Sequence, residues 1–337
     1  MSISKIKFIE MSKVLIKGRK NNPGWLYNSG VVTESQYSVR FLNKKEEENE
    51  DIDINDDGSI SCVFNTNTVF EDGSVSFDVF SEVFLKATNN NPKSYFELVP
   101  IVLRRETGYS YHQKRDDDSP VSKNDNGKRR WEEHEERAFY NYFRSFPSVL
   151  SENSISVIDY EMPLKVANGR PERLKGVDVV GLSSNNNIAY LLEMKNVGSV
   201  ETLVRSSLEI YTYYSRLGLN RTETRRGVIK RIKDDYGPVF KDVSDIKPGV
   251  LLINGSNQHK VYIDMMKGDI RYKNLKKLME NLKLDVFVVN KYKGETIVPF
   301  ESENDVVDYE EIKNNKTKVK PVVKLAAGEY IRIEKAN

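Results

Sequence analysis

The segment 176–196, GVDVVGLSSNNNIAYLLEMKN, contains two carboxylates and one ammonium group. Two apolar runs flank a short Ser/Asn-rich stretch in this segment, a pattern that favours a β-hairpin. A hairpin would bring Asp178, near the start of the first strand, close to Glu193, near the end of the second. Because side chains alternate along a strand, Glu193 and Lys195 would share one face while Met194 points to the other.

The chemistry that such a group could perform is metal-assisted hydrolysis of a phosphodiester. Two carboxylates and a backbone carbonyl are hard oxygen donors that suit Mg²⁺. A bound Mg²⁺ activates water and neutralises charge on a phosphoryl oxygen, and a lysine can orient or deprotonate that water or stabilise developing charge. The alternative interpretation is that Glu193 and Lys195 form an ordinary exposed pair on an edge strand, with Asp178 in a turn.

The elements around the hairpin predict a mixed α/β core. Apolar periodicity gives the order α-β-β-β-α-β-α-β, an α/β sandwich around a mixed sheet. The predicted helices cover residues 131–146, 200–217 and 272–282, and the predicted strands cover 155–164, 176–182, 188–195, 249–254 and 284–290.

The rest of the chain divides by composition into three further regions. Composition predicts a β-rich domain at residues 1–112, for specificity, sensing or oligomerisation, and a polar linker at residues 113–128. The core at 129–300 is followed by a polar C-terminal extension at residues 301–337. The strands predicted in the first and last of these regions are 13–17, 38–42, 59–64, 74–84, 95–104 and 329–333.

The two ends of the hairpin resemble a known signature. GVD at 176–178 followed by LEMK at 192–195 is similar to the motif of the PD-(D/E)XK nuclease superfamily, with Val177 where the name has Pro. The resemblance covers about residues 129–295 and implies a restriction-endonuclease-like αβββαβ core.

The resemblance also implies roles for individual residues. Asp178 and Glu193 would be metal ligands, the backbone carbonyl of Met194 would complete the protein ligands, and Lys195 would be the catalytic lysine. The implied cofactor is Mg²⁺, with Mn²⁺ able to substitute. The implied products carry 5′-phosphate and 3′-hydroxyl ends.

Members of this superfamily often add a glutamate from the first helix. Glu135 is the preferred candidate, because it shares a helix face with the apolar residues at i+3, i+4 and i+7. Glu132 is the next choice, whereas Glu133 and Glu136 are expected to be solvated.

Two stretches after Lys195 are candidate accessory sites. Glu209 and Tyr213 have the spacing of the Gln-x-x-x-Tyr motif of RecB-like branches, with Glu in place of Gln. The alternative is that the tyrosines of this helix simply pack. Arg205 could reach a phosphate or pair with Glu209. The run 221–233 contains six basic residues and one acidic residue. It is either a solvated face or a footprint for a nucleic-acid backbone. Its basic residues are Arg221, Arg225, Arg226, Lys230, Arg231 and Lys233.

Bulk composition limits the alternatives. The net charge is +2, so any nucleic-acid binding must come from a local patch. Cys62 is the single cysteine, and the sequence has no signal-peptide-like or membrane-spanning apolar run, so we expect a soluble cytoplasmic protein. No P-loop, dinucleotide-binding or Gly-x-Ser-x-Gly motif occurs.

The sequence therefore predicts a Mg²⁺-dependent endonuclease that acts on DNA, in restriction or phage defence. One alternative is a catalytically silent nuclease-like fold that binds nucleic acid or supports assembly. Another is the same chemistry on RNA. A homo-oligomer is left open.

Overall fold

The structure is a computed structural model. It describes residues 4–18, 37–42, 52–54, 60–65, 69–94, 101–102, 136, 140, 154–162, 165–166, 177–183, 187–195, 202–293 and 329–336. The predicted linker at 113–128, most of the predicted helix at 131–146 and the tip of the predicted hairpin lie outside these residues. Among the helices in these ranges, none is both long enough and apolar enough to span a membrane.

The helices and strands are numbered in chain order. The helices are α1 (Lys5–Gly18), α2 (Ser76–Ala87), α3 (Leu203–Arg216), α4 (Thr222–Tyr236), α5 (Asn257–Met266) and α6 (Lys273–Leu282). The strands are β1 (Tyr37–Leu42), β2 (Ile52–Ile54), β3 (Ile60–Asn65), β4 (Ile101–Val102), β5 (Ile155–Met162), β6 (Lys165–Val166), β7 (Val177–Ser183), β8 (Ile188–Lys195), β9 (Asp245–Ile253), β10 (Asp285–Lys293) and β11 (Glu329–Lys335).

The chain forms two compact units, each assembled from separated segments. The first unit comprises Met1–Leu98, Val200–Ser215 and Lys260–Leu284. The second unit comprises Val99–Ser199, Arg216–His259 and Asp285–Asn337. The segments of the two units therefore alternate along the chain, whereas composition predicts domains that follow one another.

A six-stranded mixed sheet dominates the second unit, in the order β11-β10-β9-β8-β7-β5. Strands β5, β7 and β8 pair antiparallel, β8, β9 and β10 pair parallel, and β11 closes the other edge antiparallel to β10. Strand β8 is therefore an interior strand. The predicted mixed α/β class is confirmed, as are the strands predicted at 155–164, 176–182, 188–195, 249–254 and 284–290, with small shifts at their ends.

One face of this sheet carries an apolar core cluster. Tyr190, Leu192 and Met194 of β8 point into it, as alternate residues of one strand must. The rings of Tyr190 and Phe287 meet edge to face at 4.8 Å between centroids. The strand predicted at 329–333 is confirmed. It belongs to this sheet, which was not predicted, and contributes Ile331 to the same cluster.

Two predictions in the N-terminal region are wrong, because residues 13–17 belong to α1 and most of 74–84 belongs to α2. In α1, the buried residues Phe8, Ser12 and Ile16 recur every four positions, a helical period that a five-residue window hides. In α2, Phe80 and Phe84 are fully buried four residues apart. Their β-branched and aromatic neighbours imitate a strand, but packing follows the helical period.

Helices α2 and α6 of the first unit are joined by a buried carboxylate. Asp78 of α2 accepts the backbone N–H groups of Asn274 (2.8 Å) and Leu275 (2.9 Å) and the side-chain amide of Asn274 (2.9 Å). These backbone groups lie in the first turn of α6, where N–H groups have no partner within the helix. Asp78 therefore caps α6 from another helix, and the rings of Phe77 and Tyr272 stack beside it at 5.6 Å.

Replacing Asp78 by alanine is expected to lower the free energy of unfolding by about 2 kcal/mol, because loss of a helix cap costs up to that amount. Asp78→Asn should cost less, since one amide oxygen can still accept both backbone N–H groups and the Asn274 amide can rotate to accept the new donor. Urea titrations of the three proteins measure the difference. Equal losses in both variants would contradict the capping role.

The same carboxyl predicts a pH dependence. Burial is the largest influence on Asp78 and raises its pKa above the ordinary value of 3.8. The folded protein thus keeps the Asp78 proton to a higher pH than the unfolded chain does. The contribution of Asp78 to stability therefore falls as the pH rises from its pKa in the unfolded state to its pKa in the folded state. Asp78→Asn should remove this slope.

Candidate active site

Asp178 and Glu193 lie at the point where β7 and β8 separate. The paired residues of these strands run from Leu182 with Ala189 to Val179 with Leu192. One step further in the same register, Asp178 lies across from Glu193. Directly opposed residues of an antiparallel pair point to the same face of a sheet, so the two carboxylates share a face.

The Asp178 side chain takes the place of a backbone acceptor at this opening. Its Oδ2 accepts the backbone N–H of Met194 at 2.9 Å. In an extended strand the N–H and C=O groups of one residue point to the same side. The Met194 carbonyl is therefore directed toward the same gap as Asp178, where it could join the two carboxylates as an oxygen donor.

Glu193 and Lys195 form an ion pair inside the sheet unit. The Lys195 ammonium donates to Oε1 of Glu193. Lys195 is 6% exposed and Glu193 is 2% exposed. Such burial costs several kcal/mol for each charge unless it is compensated. The alternative of an exposed pair on an edge strand is wrong, because β8 lies between β7 and β9 and both side chains are buried.

These charges lie on the face of the sheet opposite the apolar core. Met194 belongs to the core cluster, and its neighbours Glu193 and Lys195 must point the other way. Asp159 of β5 pairs with Val180 after a register shift that follows Val157, so it lies on the charged face too. Asp159 is fully buried. Sequence analysis missed it, although an aspartate inside an apolar strand was a visible signal.

The donor set fits a magnesium ion in composition. Mg²⁺ keeps several waters and commonly uses one or two protein carboxylates, which Asp178 and Glu193 could supply. In the ranges that the structure describes, no cluster of three or more His, Cys, Asp or Glu side chains is suited to hold a metal ion. The fit is therefore to a hydrated ion held by two carboxylates, not to a cage made of protein ligands alone.

The first-helix glutamates are described at only one position. Glu135, Glu132 and Glu133 lie outside the described residues. Glu136 is 5% exposed, so the prediction that it is solvated is wrong. One turn later, Tyr140 packs on Tyr160 at 5.4 Å between ring centroids and against the apolar core. Glu136 and Tyr140 are both helical residues, and both face the interior of the unit.

Helix α3, in the first unit, has three polar groups in line at one-turn intervals. The Tyr213 hydroxyl donates to Oε1 of Glu209 at 3.1 Å, and Nε of Arg205 lies 4.0 Å from Oε2 of Glu209. All three residues are buried. The predicted pairing of Arg205 with Glu209 is present, and the tyrosine is both packed and hydrogen-bonded.

The basic run at 221–233 spans α4, which divides its cations between two faces. Arg225 donates to Asp245 (Nε to Oδ1, 3.1 Å) and to the carbonyl of Ile246 (2.9 Å), and Lys233 donates to the carbonyl of Val243 (3.0 Å). These two side chains hold α4 to the start of β9. Arg221 is half-buried, whereas Arg226, Lys230 and Arg231 are exposed.

No family model, curated protein or solved structure matches the chain.

Proposed function

We propose that the chain is a Mg²⁺-dependent nuclease that hydrolyses phosphodiester bonds of DNA. The observation that carries the proposal is the group of Asp178, Glu193 and Lys195 on one face of an interior strand pair, in which Glu193 and Lys195 are buried and Asp178 is half-buried. Burying the charges of Glu193 and Lys195 is costly, and a site for a cation and a phosphate gives that cost a chemical purpose.

Each residue of this group has a distinct task in the proposed reaction. Asp178 and Glu193 would hold the cation, together with the carbonyl of Met194, and Asp178 is itself fixed by the Met194 N–H. The cation would supply Lewis acidity toward the phosphoryl oxygen and water. Lys195 would orient the attacking water, take its proton or stabilise the charge that develops on phosphate.

The chain order supports a restriction-endonuclease-like core as the finer assignment. Antiparallel β5, β7 and β8 are followed by helices α3 and α4 and then by β9, which pairs parallel to β8. With one helix added between β8 and β9, this order matches the βββαβ part of the proposed αβββαβ unit. A role in restriction or phage defence remains a prediction from the resemblance.

The direct test is cleavage of supercoiled plasmid by the full chain with Mg²⁺ or Mn²⁺, and with EDTA as control. Labelled single-stranded DNA and RNA in parallel reactions decide the substrate class. Metal-dependent nicking or linearisation supports the proposal, while cleavage of RNA alone moves the same chemistry to the alternative substrate. Intact products from every substrate with either metal would contradict it.

Asp178→Asn is expected to lower the cleavage rate by about a hundredfold while the protein stays folded. An asparagine oxygen can still accept the Met194 N–H, but the charge that attracts the cation is lost. Wild-type protein should also gain about 2.7 kcal/mol of stability at Mn²⁺ concentrations a hundredfold above the dissociation constant. The variant should gain much less. Thermal unfolding with and without Mn²⁺ measures this independently of activity.

A catalytically silent nuclease-like module is the second candidate. The ion pair of Glu193 with Lys195 favours it, because the two buried charges neutralise each other without a metal. In that case Mn²⁺ would not stabilise the wild-type protein, and nucleic acid would bind without being cut.

A further inference from the structure

Helix α6 of the first unit presents a basic face that sequence analysis did not single out. Its apolar residues Leu275, Leu278, Met279 and Leu282 are buried. The opposite side carries lysines. The lysine face is defined here as Lys273, Lys276, Lys277 and the C-terminal capping residue Lys283.

The positive charge of the lysine face is poorly compensated. Four lysines against one acidic residue of the helix, Glu280, leave a net charge of +3. In the part of the chain that the structure describes, none of the four ammonium groups has an ion pair or hydrogen bond, whereas Lys13 and Lys86 of the same unit each pair with a glutamate on their own helix. Among the α4 side chains whose burial the structure describes, the exposed ones are closer to neutral, with three cations and two acids, Glu223 and Asp234.

Two of these lysines lie in the first turn of α6, where a cation does not favour the helix itself. The N-terminal end of a helix carries a partial positive charge, which disfavours cations and favours acids. The first turn of α6 contains Lys273 and Lys276 and no acidic residue of its own; the compensating carboxylate is Asp78 of α2.

Like charges also meet at the other end of α6. The ammonium groups of Lys93 and Lys283 are close enough that Lys283 lowers the pKa of Lys93, after burial as the larger cause. Stability alone does not explain such an arrangement, and an anionic partner would.

We propose that the lysine face binds the phosphate backbone of double-stranded DNA without reading its sequence. The proposal rests on the nuclease function and supplies it with a surface that holds the substrate. Ammonium groups contact phosphates as point charges, while base readout needs side chains of another kind.

Other polyanions fit this surface less well. Binding of single strands commonly uses exposed aromatic rings, and the exposed side of α6 has none. Insertion of α6 into a membrane surface would need its apolar side, which is buried within the unit. Duplex backbone is the partner that requires only the charges present.

The test is binding of a labelled duplex of mixed sequence in EDTA, measured by fluorescence anisotropy over a series of salt concentrations. In Lys273→Gln/Lys277→Gln, the slope of log K against log salt concentration should become shallower by about two, since each lysine that contacts phosphate contributes about one. Lys13→Gln/Lys86→Gln, which changes two paired lysines of the same unit, should leave the slope unchanged.

The outcomes separate this proposal from the nuclease function. An unchanged slope in a variant that unfolds at the wild-type temperature overturns the lysine face, even if the protein cleaves DNA. An equal change in the control variant overturns it too, as does lysine-dependent binding to vesicles of anionic lipid without binding to duplex. Lysine-dependent binding without cleavage supports the lysine face and contradicts the nuclease.

Discussion

Replacing Lys195 by methionine is expected to lower the rate of metal-dependent DNA cleavage by about a thousandfold, because a positioned group that moves a proton contributes roughly 10²–10⁴ in rate. The same change should lower the free energy of unfolding by about 3–5 kcal/mol, since the buried Glu193 carboxylate loses its ammonium partner. Single-turnover cleavage of a labelled duplex measures the first effect, and urea titration measures the second.

Lys335→Met is the matched control for this experiment. Lys335 pairs with Asp285 at 2.8 Å in the same unit, but its side chain is 46% exposed, so its loss should cost about 0–1 kcal/mol. Mn²⁺ should restore part of the stability of Lys195→Met, because a cation can take the place of the ammonium beside Glu193. A wild-type cleavage rate in Lys195→Met would contradict the catalytic role.

Gly249→Ala should destabilise the second unit by about 3 kcal/mol, at the upper end of the cost of overpacking a core. A Cβ atom at Gly249 would lie 2.6 Å from the backbone carbonyl of Asp285 and 2.9 Å from Cδ2 of Leu192. The carbonyl belongs to β10, so it cannot move without disturbing the pairing of β9 with β10. Urea titration measures the loss.

Gly227→Ala is the control for the glycine experiment. Gly227 lies within α4, is exposed, and a Cβ atom there would meet nothing within 4 Å. Alanine favours a helix over glycine by about 0.5–1 kcal/mol, so this variant should be slightly more stable. Similar stability changes at the two positions would show that the close approach at Gly249 is not what requires a glycine.

The hairpin of the candidate site was predictable because its two apolar strands flank a turn-forming stretch. Pairing of these strands places Asp178 opposite Glu193, one step beyond the pair of Val179 and Leu192. The contacts of the charged groups were not predictable. Whether Lys195 pairs with Glu193, or Asp178 accepts the Met194 N–H, depends on where β7 and β8 separate. The position of Asp159 depends on a register shift in β5 that leaves no clear mark in the sequence.

Helices were harder to predict than strands where aromatic and β-branched residues line them. In α2, valines and phenylalanines recur so often that alternation and helical spacing both fit, and burial of Phe80 and Phe84 decides for the helix. Helix α4 was not predicted as a helix, because the basic run at 221–233 was interpreted only by its charge. Helix α5 was overlooked because its start signal is a single buried residue, Ser256, whose hydroxyl accepts the His259 N–H at 3.1 Å.

The interleaved course of the chain limits how this protein could be divided. Between β8 and β9, and again between β9 and β10, the backbone leaves the second unit to supply segments of the first. A proteolytic or recombinant fragment starting at residue 99 would keep α6 but lose α2, exposing the apolar side of α6 and removing Asp78 from its first turn. Neither unit could be gained or lost in evolution by a single gene fusion, so the two are expected to have been inherited together.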